Sequence, residues 1–231
     1  MYQLPLKLNM KSSSRIDKFI FGDDLSLKDL LSRQLSNSGE CLIYISGPPK
    51  SGKTHLLLGQ CYAAQDLGFK VAYFSIKDLK NLNSEILDGL ENQDLIAIDD
   101  IDYSAGDEVW ENSLFRFFNK AREKNCRLLF SAEKTANNIL FKLADLRSRL
   151  SWGITYRIQE LNDKYKKDLL RNLAERKGLN MSSSVASFLI DHHKRDYNSL
   201  LLLVEKLDHD SLAEKKKLSI PFVKARLKEL F

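Results

Sequence analysis

Apolar residues in this chain first come in short unbroken runs and later recur at helical spacing. Five runs stand out: 41–46 (Cys-Leu-Ile-Tyr-Ile-Ser), Val71 to Ser75, Leu95 to Ile98, Arg127 to Ser131 and Ile154 to Ile158. Continuous rather than alternating apolar character predicts strands covered on both faces, as in a parallel sheet. Between the runs lie helix-like stretches. The clearest is 107–124, where Val109, Trp110, Leu114, Phe117, Phe118 and Ala121 share one face and Asp107 and Glu108 sit at the positive end of the dipole. Ser26 to Leu35 predicts a further helix, with Ser26 as its N-cap. This alternation predicts an α/β fold, a three-layer parallel sheet with ligand at the C-terminal edge of its strands. After Leu161 the strand signal stops. Asp163 to Lys177, Ser183 to His193, Asn198 to Asp208 and Ile220 to Leu230 predict successive helices, with Gly178 stopping the first and Pro221 opening the last. The expected organisation is a peptide over residues 1–8, a linker over 9–25, an α/β domain over 26–160 and a helical lid over 161–231.

Length and composition add bounds. A chain of 231 residues buries a sizeable core. Neither the start, Met1 to Leu8, nor any later run has the apolar length of a signal or membrane span, which predicts a cytoplasmic protein without membrane contact. Cys41, Cys61 and Cys126 are odd in number and widely spaced, and predict buried thiols rather than disulfides or a metal site. His192 and His193 are neighbours on a predicted helix and do not face one ligand. Residues 161–231 hold 15 of the 36 Lys and Arg but only 10 of the 31 Asp and Glu, so all of the formal +5 lies in the lid. Such a surface either touches nucleic-acid phosphates or is simply solvated, and the second is the commoner outcome.

The strongest chemical signal is Gly47-Pro48-Pro49-Lys50-Ser51-Gly52-Lys53-Thr54, followed by His55, between the first strand and a helix. Two glycines allow a tight turn whose N–H groups converge with a helix N-terminus on phosphate oxygens, Lys53 reaches the β and γ phosphates, and Thr54 holds Mg²⁺. A bare Gly/Pro turn is the alternative. Leu95-Ile96-Ala97-Ile98-Asp99-Asp100 then reads as a Walker B strand. Asp99 is the candidate to bind the metal through water, and Asp100 to polarise an attacking water. Ser131, and Glu133 just beyond the fourth strand, stand where a γ-phosphate sensor would be; an exposed loop is the other reading of Glu133. In Leu146-Arg147-Ser148-Arg149-Leu150-Ser151-Trp152-Gly153 two arginines precede the fifth strand. Arg149 is the candidate arginine finger, acting in trans on a neighbour's nucleotide, and Arg147 the candidate surface or interface ion-pair partner. Gln3, Leu4, Leu6 and Leu8, with Pro5 resisting helix, form either a linear motif for a partner's pocket, an unstructured start or a strand packing onto the domain.

Together, Gln3-Leu4-x-Leu6-x-Leu8, the phosphate loop, Leu87-Asp88-Gly89, Ile98-Asp99-Asp100-Ile101, Gly106-Asp107-Glu108-Val109-Trp110-Glu111, Ser148-Arg149-Leu150-Ser151-Trp152-Gly153 and Leu218 to Lys224 resemble the AAA+ module of the DnaA-related proteins, and more closely their short regulatory-inactivation members. The resemblance runs nearly end to end. It implies an AAA+ P-loop domain with an all-helical lid, bound ADP or ATP with Mg²⁺, and a role as partner more than as a fast ATPase. It implies that Gln3, Leu4, Leu6 and Leu8 dock on the DNA polymerase sliding clamp (its beta subunit) and that Arg149 acts on the ATP of the initiator DnaA, preventing reinitiation. Initiators continue into a helix-turn-helix domain, whereas this chain stops at Phe231, which implies no sequence-specific DNA binding. Asn198 stands where the family carries its sensor 2 arginine; Arg195, three residues earlier on the expected helical face, is the candidate substitute at the nucleotide. A helicase-loader ATPase is the alternative function. A metabolic phosphoryl-transfer enzyme lacks any evident small-substrate site, and whether the chain works alone or as a homo-oligomer stays open.

Overall fold

The computed structural model describes residues 15–228 apart from 23, 37, 38 and 81. These fall into two compact units divided between Gln159 and Glu160. The first contains β1 (Leu42–Ser46), β2 (Val71–Ser75), β3 (Leu95–Asp99), β4 (Arg127–Ala132) and β5 (Ile154–Arg157), with α1 (Leu25–Gln34), α2 (Lys53–Asp66), a short α3 (Ile76–Leu79), α4 (Glu108–Glu123) and α5 (Ala144–Leu150). All strand pairs are parallel, in the order β2-β3-β4-β1-β5. Every residue of β1 and β3 is buried, whereas β5, on the sheet's edge, is largely exposed. Burial on both faces is the reason the inner strands read as unbroken apolar runs.

Alternate residues of each strand feed opposite layers. Tyr44, Ile96, Ile98 and Phe130 pack with Trp110, Leu114, Phe117 and Phe118 of α4 and Leu146 and Leu150 of α5. Ile43, Ile45, Leu95, Ala97 and Leu129 pack with Leu27 and Leu31 of α1 and Leu56, Leu57 and Cys61 of α2. The three-layer α/β architecture expected from the alternation is therefore present.

Several local expectations change. The N-cap of α1 is Asp24, not Ser26, whose hydroxyl lies 3.2 Å from the Tyr156 hydroxyl. Residues 144–150 form a helix that their seven-residue length hid from periodicity. Cys41 is exposed, while Cys61 and Cys126 are buried and their thiols pushed up to about 12, chiefly by desolvation. In the described part of the expected linker, Ile16–Lys18 makes a helical turn, and Ile16, Phe19 and Phe21 pack against the α1–α2 side of the sheet.

The second unit has α6 (Asp163–Arg176), α7 (Ser183–His192), α8 (Tyr197–Glu214) and α9 (Ile220–Lys228). Asn162, Ser182 and Asp196 cap the first three by accepting the backbone N–H groups of Tyr165, Val185 and Ser199. Gly178 takes φ +74° after α6, and Lys215 takes φ +51° just after α8, which ends at Glu214, six residues beyond the expected stop at Asp208. Leu170, Ala174, Leu189, Ile190, Leu200, Leu203 and Val223 fill its interior. No described helix is long and apolar enough to cross a membrane.

Candidate functional site

Because β1 and β3 both flank β4, their C-terminal ends meet, and the candidate residues meet with them. The phosphate loop leaves β1 with the Gly47 N–H donating to the Ala132 carbonyl at the end of β4 (3.2 Å). A Cβ on Gly47 would stand 2.8 Å from the Ile158 carbonyl oxygen, so only glycine fits there. Lys50 and Gly52 both take positive φ, +64° and +93°, and Gly52 opens α2. Lys53 is 6% exposed, and its ammonium donates to the carbonyls of Gly47 and Pro48, each at 2.8 Å. Desolvation lowers its pKa, and the charges of Asp99, Glu133, Asp100 and Asp102 pull it back up. The lysine thus holds the loop closed on itself, and an arriving phosphate would exchange those carbonyls for its own oxygens. Pro48 and Ser51 complete the turn, linked by the Ser51 N–H donating to the Pro48 carbonyl (3.3 Å), and the Ser51 hydroxyl is buried without a hydrogen-bond partner.

Asp99 is 1% exposed and fully engaged: the Tyr73 hydroxyl donates to Oδ2 (3.0 Å) and the Ser131 hydroxyl to Oδ1. Ser131 also accepts the Asp100 N–H (3.1 Å). The expected sensor serine therefore ties the Asp99 carboxylate to the Asp100 backbone at the end of the Walker B strand. Asp100 sits in the left-handed region at φ +55°, which turns its carboxylate away from the strand toward Ser75, 3.4 Å away. Burial first, then Asp99 and Asp102, raises its carboxyl above the ordinary carboxylate range.

Glu133 is exposed, and its N–H donates to Asp102 Oδ2 (3.3 Å). Asp102 was absent from the expected set, although its Oδ1 is buried without a hydrogen-bond partner and its carboxyl is likewise raised by burial. Phe19 was missed too; its ring lies 2.9 Å from where a Gly52 Cβ would be, and meets His55 edge-on at 5.5 Å. Aromatics at 19 and 21 in a supposed linker were the available signal. Thr54 is exposed at the start of α2. No group of three or more acidic, histidine or cysteine side chains among the described residues is set to hold a metal ion. Mg²⁺ bound through one hydroxyl, one carboxylate and nucleotide phosphates needs no such group, so Thr54 and Asp99 fit that chemistry.

Arg149, on α5, stacks on the Trp152 ring with its guanidinium carbon 3.9 Å from the centroid, and lies 5.9 Å from the Phe115 ring. Arg147 is exposed and, among the described residues, pairs with no carboxylate within this chain. Arg195 precedes the N-cap of α8, so the expected shared helical face does not form. Its guanidinium donates to Asp163 (2.9 Å) and to the Ile190 carbonyl (3.0 Å), partners it would have to leave to reach a phosphate. The Asn198 side chain, and Gln3, Leu4, Leu6 and Leu8, lie outside what is described.

The Gly-Asp-Glu-x-Trp-Glu segment has a structural role. Asp107 caps α4 by accepting the N–H groups of Val109 and Trp110. Glu111, 1% exposed, accepts the N–H groups of Gly106 (2.7 Å), Lys142 (3.2 Å) and Leu143 (2.7 Å), bolting two loops to the helix.

A phosphate loop after β1, a carboxylate pair after β3, a hydroxyl on β4 between them and a separate helical unit define the AAA+ class. Solved structures share this fold. Domain III of the Thermotoga maritima replication initiation protein DnaA superposes with a TM-score of 0.79 at 18% identity, over 95% of this chain and 97% of that one. AMPPCP-bound DnaA from Aquifex aeolicus gives 0.71 at 21% identity, over 86% of this chain and 66% of the other. The Thermotoga maritima RuvB Holliday junction branch migration motor gives 0.72 at 19%, over 94% and 72%. The family model of the bacterial DnaA ATPase domain matches residues 10–157, and that of the Hda lid domain matches residues 163–227. The chain belongs to the DnaA-related AAA+ family, with a lid of the Hda type.

Proposed function

We propose that this chain is a nucleotide-bound regulator of replication initiation that docks on the DNA polymerase sliding clamp and presents Arg149 to the ATP held by DnaA, promoting its hydrolysis. The carrying observation is Arg149 itself: an arginine without a carboxylate partner among the described residues, held on an indole at the surface of a DnaA-family domain with an Hda-type lid. A finger of this kind neutralises charge developing on a neighbour's γ phosphate. ADP or ATP would occupy the chain's own phosphate loop, with Lys53 on the phosphates, the loop N–H groups around them, and Mg²⁺ between Thr54 and Asp99. Bound nucleotide and metal there would supply the charge that sets the loop and the Walker B end in their working arrangement. Asp99 is held by Tyr73 and Ser131, and Asp100 has the raised affinity for a proton that a group polarising water requires. Gln3, Leu4, Leu6 and Leu8 supply the tether, raising the local concentration of Arg149 at DnaA.

The test is turnover of DnaA-bound ATP with this protein, with and without clamp loaded on DNA. Clamp-dependent stimulation is expected, and Gln3→Ala with Leu4→Ala abolishes both it and clamp pull-down. Stimulation that ignores the clamp removes the tether; vigorous ATPase activity driven by single strands without DnaA makes the chain a loader instead.

A further inference from the structure

Some arginines in this protein meet a carboxylate: Arg15 pairs with Asp66, Arg195 with Asp163, and Arg226 with Glu214. Arg122, near the end of α4, and Arg149, on α5, do not. Both are gathered on one ring, with guanidinium carbons 4.5 Å and 3.9 Å from the Trp152 centroid, and among the described residues neither has an ion pair or hydrogen bond to a carboxylate. The ring is 50% exposed yet well seated. Its edge meets Phe118 of α4 at 6.4 Å, its N–H on the backbone donates to the Arg149 carbonyl (3.1 Å), and the next residue, Gly153, presses so closely on β1 that a Cβ would stand 2.1 Å from the Leu42 carbonyl oxygen.

Stacking occupies the face of a guanidinium and leaves its fork of N–H donors at the edge. Two uncompensated cations on one platform repel each other, and an anion with several oxygens relieves that repulsion. We propose that Trp152 is a positioning residue that presents Arg122 together with Arg149 as a two-cation site for the phosphate oxygens of a nucleotide held by a neighbouring molecule. This rests on the function proposed above and adds Arg122 as a second contact and Trp152 as its rigid support.

The test compares wild type, Arg122→Ala, Trp152→Leu and Trp152→Phe in stimulation of DnaA-ATP turnover across a range of regulator concentrations. Arg122→Ala and Trp152→Leu are expected to lower the maximal stimulated rate on the order of 10²-fold with little change in half-saturating concentration. Trp152→Phe restores most of it, because a phenyl face still holds a cation. Wild-type maximal rates, or losses confined to half-saturating concentration, overturn the proposal. Arg122 is exposed, so its variant carries the test even where Trp152→Leu folds poorly. A second arm needs no DnaA: with ADP saturating the phosphate loop, inorganic tripolyphosphate is titrated and tryptophan fluorescence followed. A saturable change, lost when Arg122→Ala and Arg149→Ala are combined, is expected; its absence in wild type overturns the anion site. If wild type fails to stimulate DnaA, the preceding function falls and this titration alone decides the site.

Discussion

Removing the Ser131 hydroxyl probes how the carboxylate pair at the end of β3 is held. The residue is fully buried; its Oγ donates to Asp99 Oδ1 and accepts the Asp100 N–H at 3.1 Å. Ser131→Ala therefore strips one partner from a buried carboxylate and one from a strained backbone amide. A hydrogen bond to a charged group is worth about 1.5–3 kcal/mol, and a buried donor left bare costs about 1–3 kcal/mol. The lost hydroxyl no longer has to be desolvated, so the two do not sum, and the expected net loss is about 2–4 kcal/mol. In a unit of this size that lowers Tm by roughly 5–12 °C. Urea unfolding followed by far-UV circular dichroism reads the change directly, with the slope unaltered because the exposed surface is the same. Tyr73 still donates to the other oxygen of Asp99, which keeps the loss short of unfolding. A loss under about 0.5 kcal/mol, the size of a surface substitution, would show that Ser131 does not clamp the pair.

Three further substitutions follow from the same geometry. Glu111→Ala leaves three backbone N–H groups without their carboxylate and should cost about 3–5 kcal/mol, the range for breaking a buried charged network; urea unfolding within about 1 kcal/mol of wild type would contradict it. Gly153→Ala drives a Cβ to 2.1 Å from the Leu42 carbonyl oxygen, which must part β5 from β1, and soluble folded protein with an unchanged melting temperature would refute that packing. Asp100→Asn concerns pH. Because burial and neighbouring carboxylates raise the folded pKa of Asp100 above its ordinary 3.8, the group contributes stability below that value and loses it as pH rises through the folded pKa. Asparagine stays neutral and tolerates φ +55°. The variant should therefore be more stable than wild type at neutral pH, with the advantage fading in acid; a pH-independent difference between urea midpoints sinks the assignment.

The inner strands were legible because they are covered on both faces, and such strands announce themselves as unbroken apolar runs. α4 was legible because its apolar stripe and its capping Asp107 agree. α5 was not, since seven residues give fewer than two turns of periodicity and Leu143 before it offers no side-chain cap. The convergence of Gly47, Lys53, Asp99 and Ser131 follows from strand order, and residue type with spacing pointed to each. Asp102 and Tyr73 escaped because their roles depend on which neighbours the tertiary fold brings, not on any local pattern. The same holds for Glu111, whose three backbone contacts come from loops on either side of α4. Arg195 was singled out, but the helical face expected to carry it does not form, since that helix begins at Tyr197 and Asp163 from another helix claims its guanidinium.

The central claim is that Arg149 acts on a nucleotide bound by another molecule. Single-turnover hydrolysis of DnaA-bound ATP, with clamp loaded on DNA and either wild type or Arg149→Ala, tests it most directly. Arg149 is half-buried and stacked rather than ion-paired, so the variant should fold and bind clamp as wild type does while the stimulated rate collapses by as much as about 10³-fold, the lower end for a lost arginine finger. Stimulation by Arg149→Ala equal to that of wild type would contradict it.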